Sequence, residues 1–279
     1  MTAMLRTGLM SLLFCAVLLP GQREAAASDI DRLEAFLEAT GFDVALESMK
    51  LNAEDAPAMI GVEADDFGLQ WGTLVDTVFD TALMHDMATD ILAETLDDDL
   101  LNHAVEFYTS DLGSRLVVVE NASHMKDDDD LKQESGQAII AGLVQIGSPR
   151  VEELKRLNAA VGSEDASIHA IFEVQTRFLM AAAAAGVIEL PMDEEDLRES
   201  LRQQEGEMRR SMQAAGLAAS AYTYQSFSDD EISAYADALE HPKMQRVYEL
   251  MNAVHFEILA NRYEAMAVGM SKLQPSQEL

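Results

Sequence analysis

From Trp71 onward, apolar side chains recur every three or four positions. Val75, Val78, Phe79, Ala82 and Leu83 fall on one stripe, and the pattern predicts a single amphipathic helix continuing to about Glu94. The same period returns along most of the chain. Leu100, Leu101, Ala104, Val105 and Tyr108 stripe a further helix, which ends near Thr109 so that Ser110 can cap a third carrying Leu112, Leu116, Val117 and Val119. So short a link makes the pair a helical hairpin or a sharp corner. Alternating β-branched runs bounded by Gly and Pro are missing, and there are only six prolines. The fold class predicted is all-α, a helical bundle.

The hairpin pattern returns later in the chain. A shift of 131 residues lays DDDLLNHAVEFYTSDLGSRLVVVENASH, residues 97–124, over SDDEISAYADALEHPKMQRVYELMNAVH, residues 228–255. Leu101 then falls on Ile232, Arg115 on Arg246, Ala122 on Ala253 and His124 on His255. Pro242 stands at the position of Asp111, where a proline suits the first residue of a helix. These offsets predict a bundle built from two related helical halves, 28–146 and 147–270, parted at Gly147-Ser148-Pro149, with a flexible tail over 271–279. Within the second half, Ala181 to Ala185 followed by Gly186 marks a helix end. Asp193, Glu194, Glu195 and Asp196 after Pro191 mark the next start, where negative charge suits the helix dipole.

The first residues concern address rather than fold. Arg6 in a charged start, an apolar run from Leu9 to Leu19, and Ala25-Ala26-Ala27 before Ser28 make a predicted signal peptide over 1–27, cleaved after Ala27, with export to the periplasm. The apolar run is well short of the roughly 20 residues a membrane-spanning helix needs, so no stable membrane span is expected. Cys15 is the one cysteine and falls within that segment; Phe14 before it does not suit a lipid-modification site. The chain after residue 27 thus lacks thiols, which excludes disulfides and cysteine nucleophiles.

Charge narrows the partners. There are 19 Lys+Arg against 50 Asp+Glu, a net charge of −31, which becomes −32 once Arg6, Arg23 and Glu24 are removed. Nucleic acid and anionic lipid surfaces are excluded as partners, because each neutralised phosphate needs a cationic side chain. Solubility accounts for the excess without a ligand, and attraction to cations or to a basic partner is its functional counterpart.

The string EFYTSDLGSRL after an acidic turn resembles the signature of the domain of unknown function 2059 family, roughly Phe-Tyr-x-Ser-Pro-x-Gly-x-(Lys/Arg)-Leu. Phe107, Tyr108, Ser110, Gly113, Arg115 and Leu116 match, and Asp111 replaces the usual proline. The stretch RLEAFLEATGFDVALESM is similar to that family's first helix. In the second copy Pro242 and Arg246 remain, while the other positions are Ala238, Leu239, His241 and Met244. The resemblance implies small helical proteins exported to the bacterial periplasm, without an established activity and with no catalytic residue to carry over. The motif residues read as structure: two core aromatics, a serine cap, a helix start and a glycine at a close helix approach.

Candidate chemistry is sparse. No histidine has Glu three residues before it, as a di-iron bundle requires, and His-Glu-x-x-His is absent. His85 lies seven residues after Val78, with Asp86 and Met87 following it. Imidazole and thioether could together hold a soft metal, and a core histidine is the plainer reading. The methionines, 16 in the chain, mostly occupy helical core positions. His124 and His255 hold equivalent places in the two copies, with Glu120 one turn before the first, and suggest an interface or a pH-sensing pair. The run Asp127 to Asp130 lacks the Gly of a calcium loop, Lys132 standing at that position. No cofactor is implied, and nothing in the pattern singles out an enzyme. The expectation is a non-enzymatic binding or interaction module, possible as a homodimer, whose partner is an unidentified protein or small molecule. The alternative is a carrier of an apolar small molecule or a metal ion in a pocket between the halves.

Overall fold

The computed structural model describes residues 21–61, 64–126 and 129–273, so most of the predicted signal peptide, Asp127 and Asp128, and residues 274–279 of the tail lie outside the described residues. The described chain is helical throughout, without a strand. Helix α1 (Gly21–Thr40) turns at Gly41, in the left-handed region at φ 70°, into α2 (Phe42–Asn52). Two 3-10 turns, Ala53–Ile60 and Ala64–Phe67, lead to α3 (Leu69–Val78) and α4 (Thr81–Thr95). The single helix expected from Trp71 to Glu94 is therefore two. Phe79 leaves the helical conformation, and the Asp80 side chain caps α4 by accepting from the Leu83 amide at 2.8 Å. Apolar periodicity alone does not register a capping aspartate inside the stripe.

Next come α5 (Asp98–Tyr108), α6 (Asp111–His124), α7 (Asp129–Gln145) and α8 (Arg150–Ala160). They are followed by α9 (Glu164–Ala184), α10 (Glu194–Gln203), α11 (Glu205–Thr223), α12 (Asp229–Leu239) and α13 (Pro242–Met270). At an offset of 131 residues, α5 and α12 begin and end in register, and α6 and α13 begin in register. Their caps correspond as well: Asp97 with Ser228, and Ser110 with His241. Ser228 and Glu231 form a reciprocal capping box, and Pro242 opens α13. The two hairpins differ at the far end, because α6 stops at His124 while α13 runs on to Met270.

That extension makes α13 the axis of the bundle. It packs against α3, α4, α5, α9 and α12, and Val247, Val254, Ile258, Met266 and Met270 are all buried along it. Helix α9 runs beside it in the same direction, with Asn252 donating to the Val161 carbonyl at one end and Phe178 meeting Tyr263 edge-on further along. Helices α7 and α11 approach so closely that a Cβ on Gly136 would lie 2.1 Å from the Ala218 carbonyl oxygen. One continuous apolar cluster runs from Leu33 to Met270, so residues on both sides of the Gly147 turn share a core. A smaller cluster of Ile168, Phe172, Leu197 and Leu201 joins α10 to α9.

Candidate functional site

The motif residues form the α5–α6 corner. Ser110 Oγ accepts the Gly113 amide at 3.1 Å, and a Cβ on Gly113 would lie 2.1 Å from the Phe107 carbonyl oxygen. Phe107 stacks on Tyr235 with ring centroids 5.7 Å apart, which brings the corner against the second hairpin. Arg115 reaches Asp111 in its own helix and Glu231 in the α12 capping box, at 3.1 and 2.6 Å, and lies over the Phe227 ring. Together with the Ser228 amide and hydroxyl, Arg115 holds the Glu231 carboxyl down to about 2; the backbone bond is the largest cause. Arg246, the residue at the equivalent place in the second hairpin, makes no such bridge: it pairs with Glu249, one turn along its own helix, in an exposed position.

His85 is half-buried, and both its ring nitrogens are engaged. Nδ1 meets Asp43 at 2.6 Å and Nε2 meets Glu34 at 2.8 Å, tying α4 to α2 and α1. Burial by itself lowers the pKa of this imidazole. The hydrogen bonds to the two carboxylates, with their charges, outweigh that and raise it above the ordinary histidine value. An imidazolium donating from both nitrogens has no lone pair to offer a metal. Asp86 is exposed, and Met87 packs on the main core, so the three neighbours in sequence do not converge. Among the described residues no group of three or more His, Asp or Glu side chains is arranged to hold a metal ion.

A polar cluster that the sequence reading did not assemble lies where the two hairpins meet. Glu120 Oε1 accepts the hydroxyls of Tyr224 and Tyr235 at 2.7 and 3.0 Å. Tyr108 and Tyr248 join their hydroxyls at 2.5 Å, and Tyr248 is 3.4 Å from Tyr235. Four tyrosines from α5, α12, α13 and the turn after α11 thus surround one carboxylate of α6. Burial raises the Glu120 pKa, and the two tyrosine hydrogen bonds pull against it. Burial likewise pushes the Tyr248 phenol up to about 12. His255 is brought near its counterpart His124: burial first, and then the His124 charge, lower its pKa to about 4. Sequence reading noted Glu120 only as a neighbour of His124. A tyrosine at a helical core position carries no sign of which distant carboxylate its hydroxyl will meet.

Hollows lie on either side of Tyr248. On one side, a hollow of about 130 Å³ is walled by α1, α2, α5, α6 and α13, with Glu120, Asn121, His124 and Thr40 among its polar lining. On the other, two adjoining clefts of about 640 and 650 Å³ run between α8, α9, α11 and α13. Ala159, Gly162, Ser167, Tyr248, Asn252 and Phe256 line both clefts. Small residues on α8 and α9 and the missing side chain at Gly162 leave this space open.

The α5–α6 corner and Glu120 lie inside a stretch, residues 83–141, that matches the model of a family described as an uncharacterized protein conserved in bacteria (DUF2059). This segment is similar to that family. The matched segment spans most of α4, α5, α6 and most of α7, so it supplies His85, the corner and the carboxylate, while three of the four tyrosines come from beyond it. No curated protein and no solved structure matches the chain.

Proposed function

We propose that the protein is a non-enzymatic binding protein of the bacterial periplasm, taking a small molecule with an apolar body into the cleft between α8, α9, α11 and α13. The observation that carries this reading is the size and lining of the cleft. Its two hollows of about 640 and 650 Å³ lie within the range of roughly 300–1,000 Å³ common for small-molecule sites. Alanines and Phe256 supply apolar surface, and Ser167 and Asn252, whose side-chain nitrogen also donates to the Val161 carbonyl, supply polar groups. The signal-peptide pattern of residues 1–27 supports the address. A protein-docking role draws on Val144 and Ile146, 62% and 77% exposed at the end of α7. Two side chains make a much smaller patch than the several hundred Å² typical of a docking face.

The test is native mass spectrometry of the protein purified from the periplasm, beside the variant Ala166→Trp, whose indole would fill the cleft from the exposed start of α9. An adduct on the natural chain that disappears in the folded variant is the expected result. Equal adducts on both, or none on either, would dispose of the cleft as the binding site.

A further inference from the structure

The cleft between α8, α9, α11 and α13 is poor in charge for this chain. Of the 50 Asp and Glu side chains, only Glu164 and Glu249 are among its lining, and Lys155 is the one Lys or Arg there. Each is already paired: Glu164 with Gln213 at 2.8 Å and Arg209 at 3.5 Å, Glu249 with Arg246 at 2.7 Å, and Lys155 with Glu152 at 2.8 Å. His255 also lines it; burial, and then the His124 charge, lower its pKa to about 4, so the ring is neutral near pH 7. A charged ligand would leave water here with no counter-ion to receive it.

Two asparagines on the same wall are oriented from behind. Asn252 must turn its amide nitrogen to the Val161 carbonyl, at 2.9 Å, because that oxygen at the end of α8 can only accept. Its Oδ1 is left over as an acceptor. Asn158 Oδ1 accepts the Ser220 hydroxyl, and its Nδ2 is left over as a donor. Neither leftover atom has a hydrogen-bond partner among the described residues, and neither is sealed from water, since both side chains are half-buried in the cleft wall. Two glycines put no side chain against them. A Cβ on Gly162 would lie 3.0 Å from the Asn252 amide nitrogen, and one on Gly216 3.6 Å from that of Asn158. The fold thus fixes one donor and one acceptor at the cleft before any ligand arrives, which lowers the cost of binding.

Resting on the cleft reading above, we propose that the ligand is an uncharged molecule carrying a carboxamide, whose carbonyl accepts from Asn158 and whose N–H donates to Asn252. A carboxamide is the neutral group that offers a strong acceptor and a strong donor side by side. Phe256, Leu217 and Met212 line the cleft for the apolar remainder of the molecule. A site built to hydrogen-bond a polar group rejects an analogue that lacks it, because the protein's own donor or acceptor is then left unpaired.

Isothermal titration of the purified protein with N-acetyl-phenylalanyl-leucinamide tests this, beside the same peptide as its free acid and as its methyl ester. The acid adds a charge, and the ester stays neutral but cannot donate from its end. Expected are one bound amide per chain, affinity at least about tenfold weaker for the acid, and affinity several-fold weaker for the ester. Asn158→Asp keeps the acceptor for Ser220 and removes the donor, so it should weaken the amide by about tenfold or more. If that variant does not fold by circular dichroism, the three peptides on the natural chain carry the test. No heat with the amide, equal binding of the acid or the ester, or undiminished binding in folded Asn158→Asp would overturn the proposal. Ala166→Trp separates the two readings. Amide binding that survives in this variant lies elsewhere and takes the cleft reading down as well; binding that it abolishes, but that does not distinguish amide from acid or ester, leaves the cleft standing and overturns the carboxamide alone.

Discussion

Held between Asp43 and Glu34, His85 joins three helices through one ring, and the linkage is pH-dependent. Its folded pKa lies above the ordinary 6.5, so its contribution to stability is complete below that pH and fades as the pH climbs through the raised value. His85→Gln should therefore lower the urea midpoint at pH 6, by an amount on the order of 1 kcal/mol for a partly exposed pair, and by less in alkaline solution. A constant deficit across the range would show that the ring contributes packing alone. His255 carries the opposite sign. Its folded pKa is lowered to about 4, so between 6.5 and 4 the unfolded chain takes up the proton first and stability falls with the pH. Replacing both His255 and His124 with Gln should flatten that acid slope in denaturation curves recorded from pH 4 to 8. A slope that survives the double replacement would place its origin among the carboxylates.

The α5–α6 corner shows how far local chemistry specifies an element. Ser110 takes up a free amide of the new helix, so Ser110→Ala should cost about 1 kcal/mol. Gly113→Ala should cost more, in the range of about 1–3 kcal/mol, because the added carbon would meet the Phe107 carbonyl oxygen, a backbone atom that cannot swing away. Urea midpoints of the two variants, compared with the parent, decide the order. A Gly113→Ala protein as stable as Ser110→Ala would mean the corner can open. The serine cap and the glycine approach were legible in the sequence because both act within six residues of chain. The break at Asp80 was not, since the apolar stripe continues through it on both sides.

Across the whole molecule, α13 converts two hairpins into one core. Trp71, buried on α3 with its indole donating to the Glu54 carbonyl at 2.8 Å, reports on the first half, and far-ultraviolet circular dichroism reports on every helix. Because one apolar cluster includes residues from both halves, the two signals should move together in urea. Separate transitions would show that the halves unfold as independent units.

Helical period and capping residues were available from the sequence alone, and the all-α class followed from them. These properties depend on side chains three or four positions apart on one helix, a distance the backbone geometry sets without help from the rest of the chain. The Glu120 cluster was decided only by tertiary structure. Its hydroxyls arrive from residues 104 and 115 positions further along. The same holds for His85, whose carboxylates sit 42 and 51 positions earlier. Which tyrosine meets which carboxylate depends on how helices cross, and crossing is settled by the packing of whole faces rather than by any one residue.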